Sequence, residues 1–258
     1  MTVVVIMADP PREGLVLPEL AETSPLSAAE AADLAEAMLR DTLLASLRSG
    51  GEEVIVNYPP EDELPEEHQT DETPEEELRA LLEETLAEGA SRHDDTADYR
   101  LEPQVGSTFA ARAGNAATHL LDDEDVATVA IVEADAPMLL RTEIDSAAMK
   151  LRHSDVVVGP SEGGRLYFLG LGEPIDFTDV YAPPALETAV DRSVDASLDV
   201  DFMAQLTKVE TGEDLLSLVS VLRARRAAGR IVPTYTTALV EDLGLRVEVA
   251  DGERRLVR

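Results

Sequence analysis

The chain has 258 residues, enough for one α/β domain with a sizeable buried core, and 44% of them are apolar. Its formal net charge is -32, Lys150 and Lys208 are its only lysines, and it has no cysteine. So acidic a surface has no basic stripe for phosphate backbones, which excludes nucleic acid as a partner, and the lack of cysteine excludes disulfides and thiolate metal sites. The acids lie between well-formed apolar segments along the whole length, which speaks against disorder. Abundant carboxylate with almost no lysine reads as the hydrated surface of a globular protein from a high-salt cytoplasm. Thr2–Met7 is too short for a signal h-region and has no basic residue before it. No apolar run approaches a membrane span, so a cytoplasmic protein without membrane contact is expected. Oligomeric state is not written in the sequence, and a homo-oligomer stays open.

Thr2–Met7 is a β-branched run, a buried strand, and Ala8–Gly14 is the loop after it. Ser27–Leu47 is a long amphipathic helix with Ser27 as N-cap and Glu30 completing a capping box. Leu34, Met38, Leu39 and Thr42 recur at helical spacing and are expected to face the sheet. Glu53–Tyr58 is the second strand. Pro59–Pro74 is rich in proline and acid and reads as a surface insertion, the least ordered stretch by composition. Glu75–Ala87 is a helix with acids near its start, as the helix dipole prefers. His93-Asp94-Asp95 reads as a polar loop, since adjacent residues do not converge on one ion. Tyr99–Gln104 is a short strand, and the turn at Gly106 before Arg112 places amides at a helix N-terminus, an anion or nucleobase site.

The next stretch organises the chain. Val126–Val132 is a continuous apolar run, and Pro137 ends the strand, leaving Asp135 at its carboxyl end. In open α/β sheets the ligand crevice lies outside the carboxyl ends of strands. A helix, about Leu140–Leu151, and a second buried strand, Asp155–Val158, follow and lead into a glycine turn at Gly163-Gly164. Beyond lie a helix near Pro184–Ser193, a long helix Gly212–Gly229 with Leu215, Leu218, Val219 and Leu222 inward, and a short helix Thr234–Leu243. Leu245–Val257 is a hairpin turning at Asp251-Gly252. Alternating strands and helices predict a mostly parallel central sheet with helices on both faces.

Asp135 and Pro137 match a family strand ending Gly-Ser-Asp-Cys-Pro. Asp155, Val156, Val157, Gly159, Pro160, Glu162, Gly164, Tyr167, Gly170 and Leu171 match Asp-Val-Val-x-Gly-Pro-Ala-Glu-Asp-Gly-Gly-Tyr-Tyr-Leu-x-Gly-Leu without a gap. On these residues the chain resembles the glycosyltransferase-A-like, nucleotide-diphospho-sugar-transferase-like family of radical-SAM/selenoprotein-associated transferases, which is similar to archaeal 2-phospho-lactate guanylyltransferases. The resemblance implies one such domain over residues 1–258, with an acidic insertion at 59–74.

The resemblance also implies a site. Asp135 would be catalytic and hold a divalent magnesium or manganese ion, with Glu210 as second ligand. Arg12, Gly14, Gln104, Gly106, Arg112, Gly164 and Lys208 would bind the nucleotide and its phosphates. The implied activity is metal-dependent nucleotidyl or glycosyl transfer from a nucleoside triphosphate or nucleotide sugar. Four positions depart from the family's polar site. Its loop lysine and arginine are Leu17 and Glu19, an aspartate is Gly163, and the first aspartate of Asp-Val-Asp-Thr-Pro-Glu-Asp-Leu is Lys208. A lysine at that place is similar to Lys-Ile-Thr-x-Pro-Glu-Asp-Leu of isoprenoid-pathway cytidylyltransferases. These departures leave an alternative open, a non-catalytic homologue that binds a nucleotide or a protein.

Overall fold

A computed structural model describes residues 2–89, 97–250 and 252–258. The His93-Asp94-Asp95 reading and Asp251 of the hairpin turn fall outside the described residues. In chain order the strands are β1 (Thr2–Met7), β2 (Glu53–Tyr58), β3 (Asp98–Pro103), β4 (Thr128–Glu133), β5 (Val156–Pro160), β6 (Leu166–Leu171), β7 (Val200–Phe202), β8 (Arg246–Ala250) and β9 (Glu253–Val257). The helices are α1 (Pro18–Thr23), α2 (Ala28–Leu47), α3 (Pro74–Gly89), α4 (Phe109–Thr118), α5 (Arg141–Lys150), α6 (Ala185–Asp195), α7 (Gly212–Ala227) and α8 (Thr234–Asp242).

Seven strands form one sheet in the order β3-β2-β1-β4-β6-β5-β7, and β8 and β9 form a separate antiparallel hairpin. All neighbours in the large sheet are parallel except those of β6, which runs against β4 and β5. The α/β architecture expected from the sequence is therefore present, with one element unforeseen. The strand at Val156–Pro160 does not lie beside β4; β6 comes between them. Its sequence, LYFLGL, is buried throughout.

Period-two alternation splits β1 between two layers. Val4 and Ile6 pack with Leu39, Leu43 and Leu47 of α2, Leu78 and Leu82 of α3 and Ile144 of α5. Val3, Val5 and Met7 pack with Ala113 and Ala117 of α4 and Ala189 of α6. The capping box at Ser27 and Glu30 is formed. One expectation about α2 needs correction. Leu34 and Met38 do not face the sheet; they pack with Leu215, Leu218 and Leu222 of α7 and Val240 of α8. α7 and α8 cover the outer side of α2, so this helix is buried on two faces rather than one. Asp41, also on α2, fixes α8: its carboxylate accepts from the amides of Thr234 (2.6 Å), Tyr235 (3.0 Å) and Thr236 (2.7 Å), the first-turn donors that a helix cannot satisfy itself.

Two contacts bear on the site. Pro59–Pro74 contains single helical turns at Glu61–Glu63 and Glu66–His68 and buries Leu64. Second, α1 ends against the start of α7. The Gly212 amide donates to Thr23 Oγ1 at 2.9 Å, and a Cβ on Gly212 would lie 2.2 Å from the Thr23 carbonyl oxygen, so only glycine fits. Among the described residues no helix is long and apolar enough to cross a membrane.

Candidate functional site

β1 pairs with β2 on one side and β4 on the other, so the strand order reverses there, and connections leave the carboxyl ends in opposite directions. A cavity of about 480 Å³ opens at that point. Its apolar wall includes Met7, Leu15, Val16, Met38 and Phe109. Its polar wall is Asp9, Glu19, Glu133, Asp135 and Glu210, and among the described residues no lysine, arginine or histidine lines it. Leu17, where the resemblance expects a lysine, caps α1 in a left-handed conformation with φ 48°.

Glu133 ends β4, and Asp135 follows two residues later. The segment before α7 crosses them: the Val209 amide donates to the Asp135 carbonyl at 2.8 Å, and the Lys208 amide donates to Ser161 Oγ at 3.0 Å. This places the Lys208 ammonium among three carboxylates. Lys208 Nζ donates to Glu133 Oε2 at 2.7 Å and lies 3.0 Å from Glu210 Oε1 and 3.5 Å from Asp135 Oδ2. Arg165 braces the outer side, donating to Glu210 Oε2 at 2.7 Å and to Asp214 at 2.7 and 3.1 Å. Asp214 in turn completes the capping box of α7 with Thr211. Behind the cluster a second cavity, of about 310 Å³, is lined by Lys208, Arg165, Gly164 and Tyr181.

Burial raises the pKa of Glu133 and Asp135, and neighbouring acids add to it, while Lys208 works the other way. Burial also opposes charge on Lys208, but the fields of Asp135, Glu133 and Glu210 together hold its ammonium above the ordinary value. Glu210 is held below the usual carboxylate value: burial acts against this, and Lys208 and Arg165 outweigh it. The match is incomplete. Glu133 Oε1 and Asp135 Oδ1 are buried without a hydrogen-bond partner.

The implied divalent ion does not fit this arrangement. A hard cation needs carboxylate oxygens to converge on an open position. With the Lys208 ammonium in place, no group of three or more His, Cys, Asp or Glu side chains among the described residues is arranged to hold a metal ion. Asp135 and Glu210, the two expected ligands, instead meet on the lysine ammonium.

Of the other expected residues, Arg12, Gly14, Gln104, Gly106 and Arg112 do not line this cavity. Arg12 is engaged with the acidic segment: its guanidinium donates to Glu77 (2.6 and 3.0 Å), Glu61 (3.0 Å), the His68 carbonyl (2.6 Å) and the Glu72 carbonyl (2.8 Å). Gly14, with φ 78°, lies against His68 in the same contact. Gln104 is buried and donates to the Asn57 carbonyl at 2.8 Å. Gly106, with φ 139°, sits against the start of α4, where a Cβ would lie 2.9 Å from the Arg112 amide. Arg112 Nε is buried without a hydrogen-bond partner, and its charge lowers the pKa of Asp9, which burial raises more strongly. Gly164 borders the second cavity beside Lys208. The structure thus gathers Asp135, Lys208 and Glu210, and leaves Arg12 and Gly14 in one contact with the acidic segment, Gly106 against Arg112 in another, and Gln104 bonded to Asn57. Sequence reasoning missed Glu133 and Arg165. Glu133 had a signal: two residues before Asp135 at the end of a strand, it shares that side of the sheet.

Residues 68–182 match the profile of a family described as "Uncharacterized protein conserved in bacteria (DUF2064)". The matched span holds α4, β4, Asp135 and the glycine turn, and stops short of Lys208. No curated protein matches the chain. Among solved structures, one similar protein is provisionally named a nucleotide-diphospho-sugar transferase, from Desulfovibrio desulfuricans G20. The likeness has a TM-score of 0.68 at 20% identity and covers 94% of this chain and 95% of that one. A second is 4-diphosphocytidyl-2C-methyl-D-erythritol synthase from Anaerococcus prevotii DSM 20548, with a TM-score of 0.50 at 12% identity, covering 86% of this chain and 96% of that one. At these identities the likeness is one of fold, and the fold is that of nucleotide-diphospho-sugar transferases.

Proposed function

We propose that the chain binds a nucleotide or nucleotide sugar in the cleft at the carboxyl ends of β1 and β4, as a homologue of this transferase-like fold that no longer performs metal-dependent transfer. One observation carries the second half of the reading. The Lys208 ammonium stands where Asp135 and Glu210 would otherwise meet on a divalent ion. The first half is supported by place and size. The cleft lies at the switch point of an open sheet, and about 480 Å³ is within the range of small-molecule sites. Its apolar wall suits a base or sugar face. The acidic, lysine-poor composition supports a high-salt cytoplasm as the setting.

A second reading, magnesium- or manganese-dependent nucleotidyl or glycosyl transfer, is favoured by one feature. Glu133 Oε1 and Asp135 Oδ1 have no hydrogen-bond partner, as ligand oxygens awaiting a cation would. Calorimetry in molar potassium chloride separates the two. The panel is nucleoside triphosphates, guanosine triphosphate among them, and nucleotide sugars, each with manganese and with EDTA. The first reading expects at least one ligand to bind with the same affinity in both. Binding that needs manganese favours the second, and no binding to any member defeats both.

A further inference from the structure

We infer that Lys208 is a tethered replacement for a divalent cation: Glu133, Asp135 and Glu210 form a cation site that this chain fills with its own side chain. The inference rests on the cleft being the binding site proposed above, but its geometry is independent of which ligand enters.

A surface lysine usually meets one acid. Lys150, the other lysine of the chain, does so with Asp201 at 2.6 Å and is a third exposed. Lys208 has a side chain only 9% exposed and meets three carboxylates from two separate segments, the end of β4 and the approach to α7. Its backbone is fixed on both sides of the contact, through Ser161 Oγ and the Asp135 carbonyl, so the ammonium is delivered to one place. A chain with 53 acidic residues and two lysines has placed one of those two among three carboxylates at the cleft. An ammonium carries three donors and one positive charge, whereas a divalent ion accepts six or more oxygens and carries two. The substitution is therefore electrostatically short, and the two oxygens left without partners, Glu133 Oε1 and Asp135 Oδ1, are the visible remainder. With all three donors facing acids, the ammonium holds the carboxylates together and does not reach for a ligand's phosphates.

The test is to remove the tethered cation and offer a free one. Wild type and Lys208→Met, which keeps the stem and loses the charge, are titrated with manganese, with free ion followed by electron paramagnetic resonance. Wild type should show no saturable site. Lys208→Met should gain one site per chain, at least about tenfold tighter than any wild-type binding, and manganese should raise its melting temperature but not that of wild type. If Lys208→Met alone does not fold, the double variant Lys208→Met, Glu133→Gln carries less uncompensated charge, retains Asp135 and Glu210, and is expected to show the same gain. A saturable site in wild type, or no gain in either variant, would overturn the inference. No gain would leave the nucleotide reading standing, and failure of every nucleotide to bind would leave a manganese gain intact.

Discussion

Arg12 and Lys208 are both cations held by acids beside one cleft, and they are satisfied differently. The planar guanidinium of Arg12 finds acceptors around its whole edge, two carboxylates and two carbonyls. The compact ammonium of Lys208 meets three carboxylates with three donors, and two carboxylate oxygens stay unpartnered. Glu61 is accordingly held below its usual pKa by its bond to Arg12, whereas Glu133 is raised by burial despite Lys208. At Arg12 one oxygen, Glu61 Oε2, is likewise buried without a hydrogen-bond partner, but it lies 2.9 Å from the guanidinium, and the contact ties the acidic segment to the loop after β1. The surplus of negative charge is larger at the second, where three carboxylates share one ammonium.

The largest effect should come from breaking the mismatched cluster. Lys208→Ala leaves three converging carboxylates without their cation, and urea denaturation at fixed salt should show a loss of about 3–5 kcal/mol. A much smaller loss would mean the acids simply take up protons, and the contrast with Arg12 would fade. Asp41 offers a sharper control, a buried carboxylate fully met by amides. Asp41→Ala should cost about 1–2 kcal/mol by the same measurement, the size of a lost helix cap. Arg12→Ala should act locally. Limited proteolysis should open the segment 59–74, with the melting temperature moving by only a few degrees; uncut chains would show that the fastening lies elsewhere.

The smallest effect is the response to pH, and the two clusters should oppose each other. Glu133 is raised above the usual 4.5, so on acidification from neutral the folded chain gains this proton before the unfolded one, and stability rises. Glu61 is lowered from 4.5, so its contribution is present above that pH and is lost as pH falls through the lowered value. Melting curves at neutral pH and at about pH 5 should show wild type gaining more than Glu133→Gln does. Equal responses would remove Glu133 from the account.

What could be read from the sequence follows from range. Asp135 was legible because a strand, a turn and Pro137 sit within a few residues of it. Lys208 and Glu210 were legible only through the resemblance, where they stand at the two aspartates of Asp-Val-Asp-Thr-Pro-Glu-Asp-Leu; locally the sequence marks no more than the cap at Thr211 of the helix they precede. Glu133 was legible in principle by strand alternation. The partners of Arg12 were not, because Glu61 and Glu77 lie 49 and 65 positions away, and no local pattern reports such a meeting. β6 carried a clear apolar run after Gly163-Gly164, but its direction depends on β4 and β5 leaving a gap between them. The outer burial of Leu34 and Met38 was likewise set by α7, which joins α2 only in the folded molecule.

The contact between Gly212 and Thr23 has a mechanical meaning. α1 follows the loop that forms one bank of the cleft, and α7 follows the Lys208 segment on the other. At their junction the Gly212 backbone packs against the Thr23 carbonyl and donates to the Thr23 hydroxyl, with no room for a Cβ between. The junction ties the two banks together at that point and resists their swinging apart as a hinged jaw would. The width of the cleft is then set largely before any ligand arrives, so that the proposed nucleotide would meet a slot already cut and lose little free energy in shaping it.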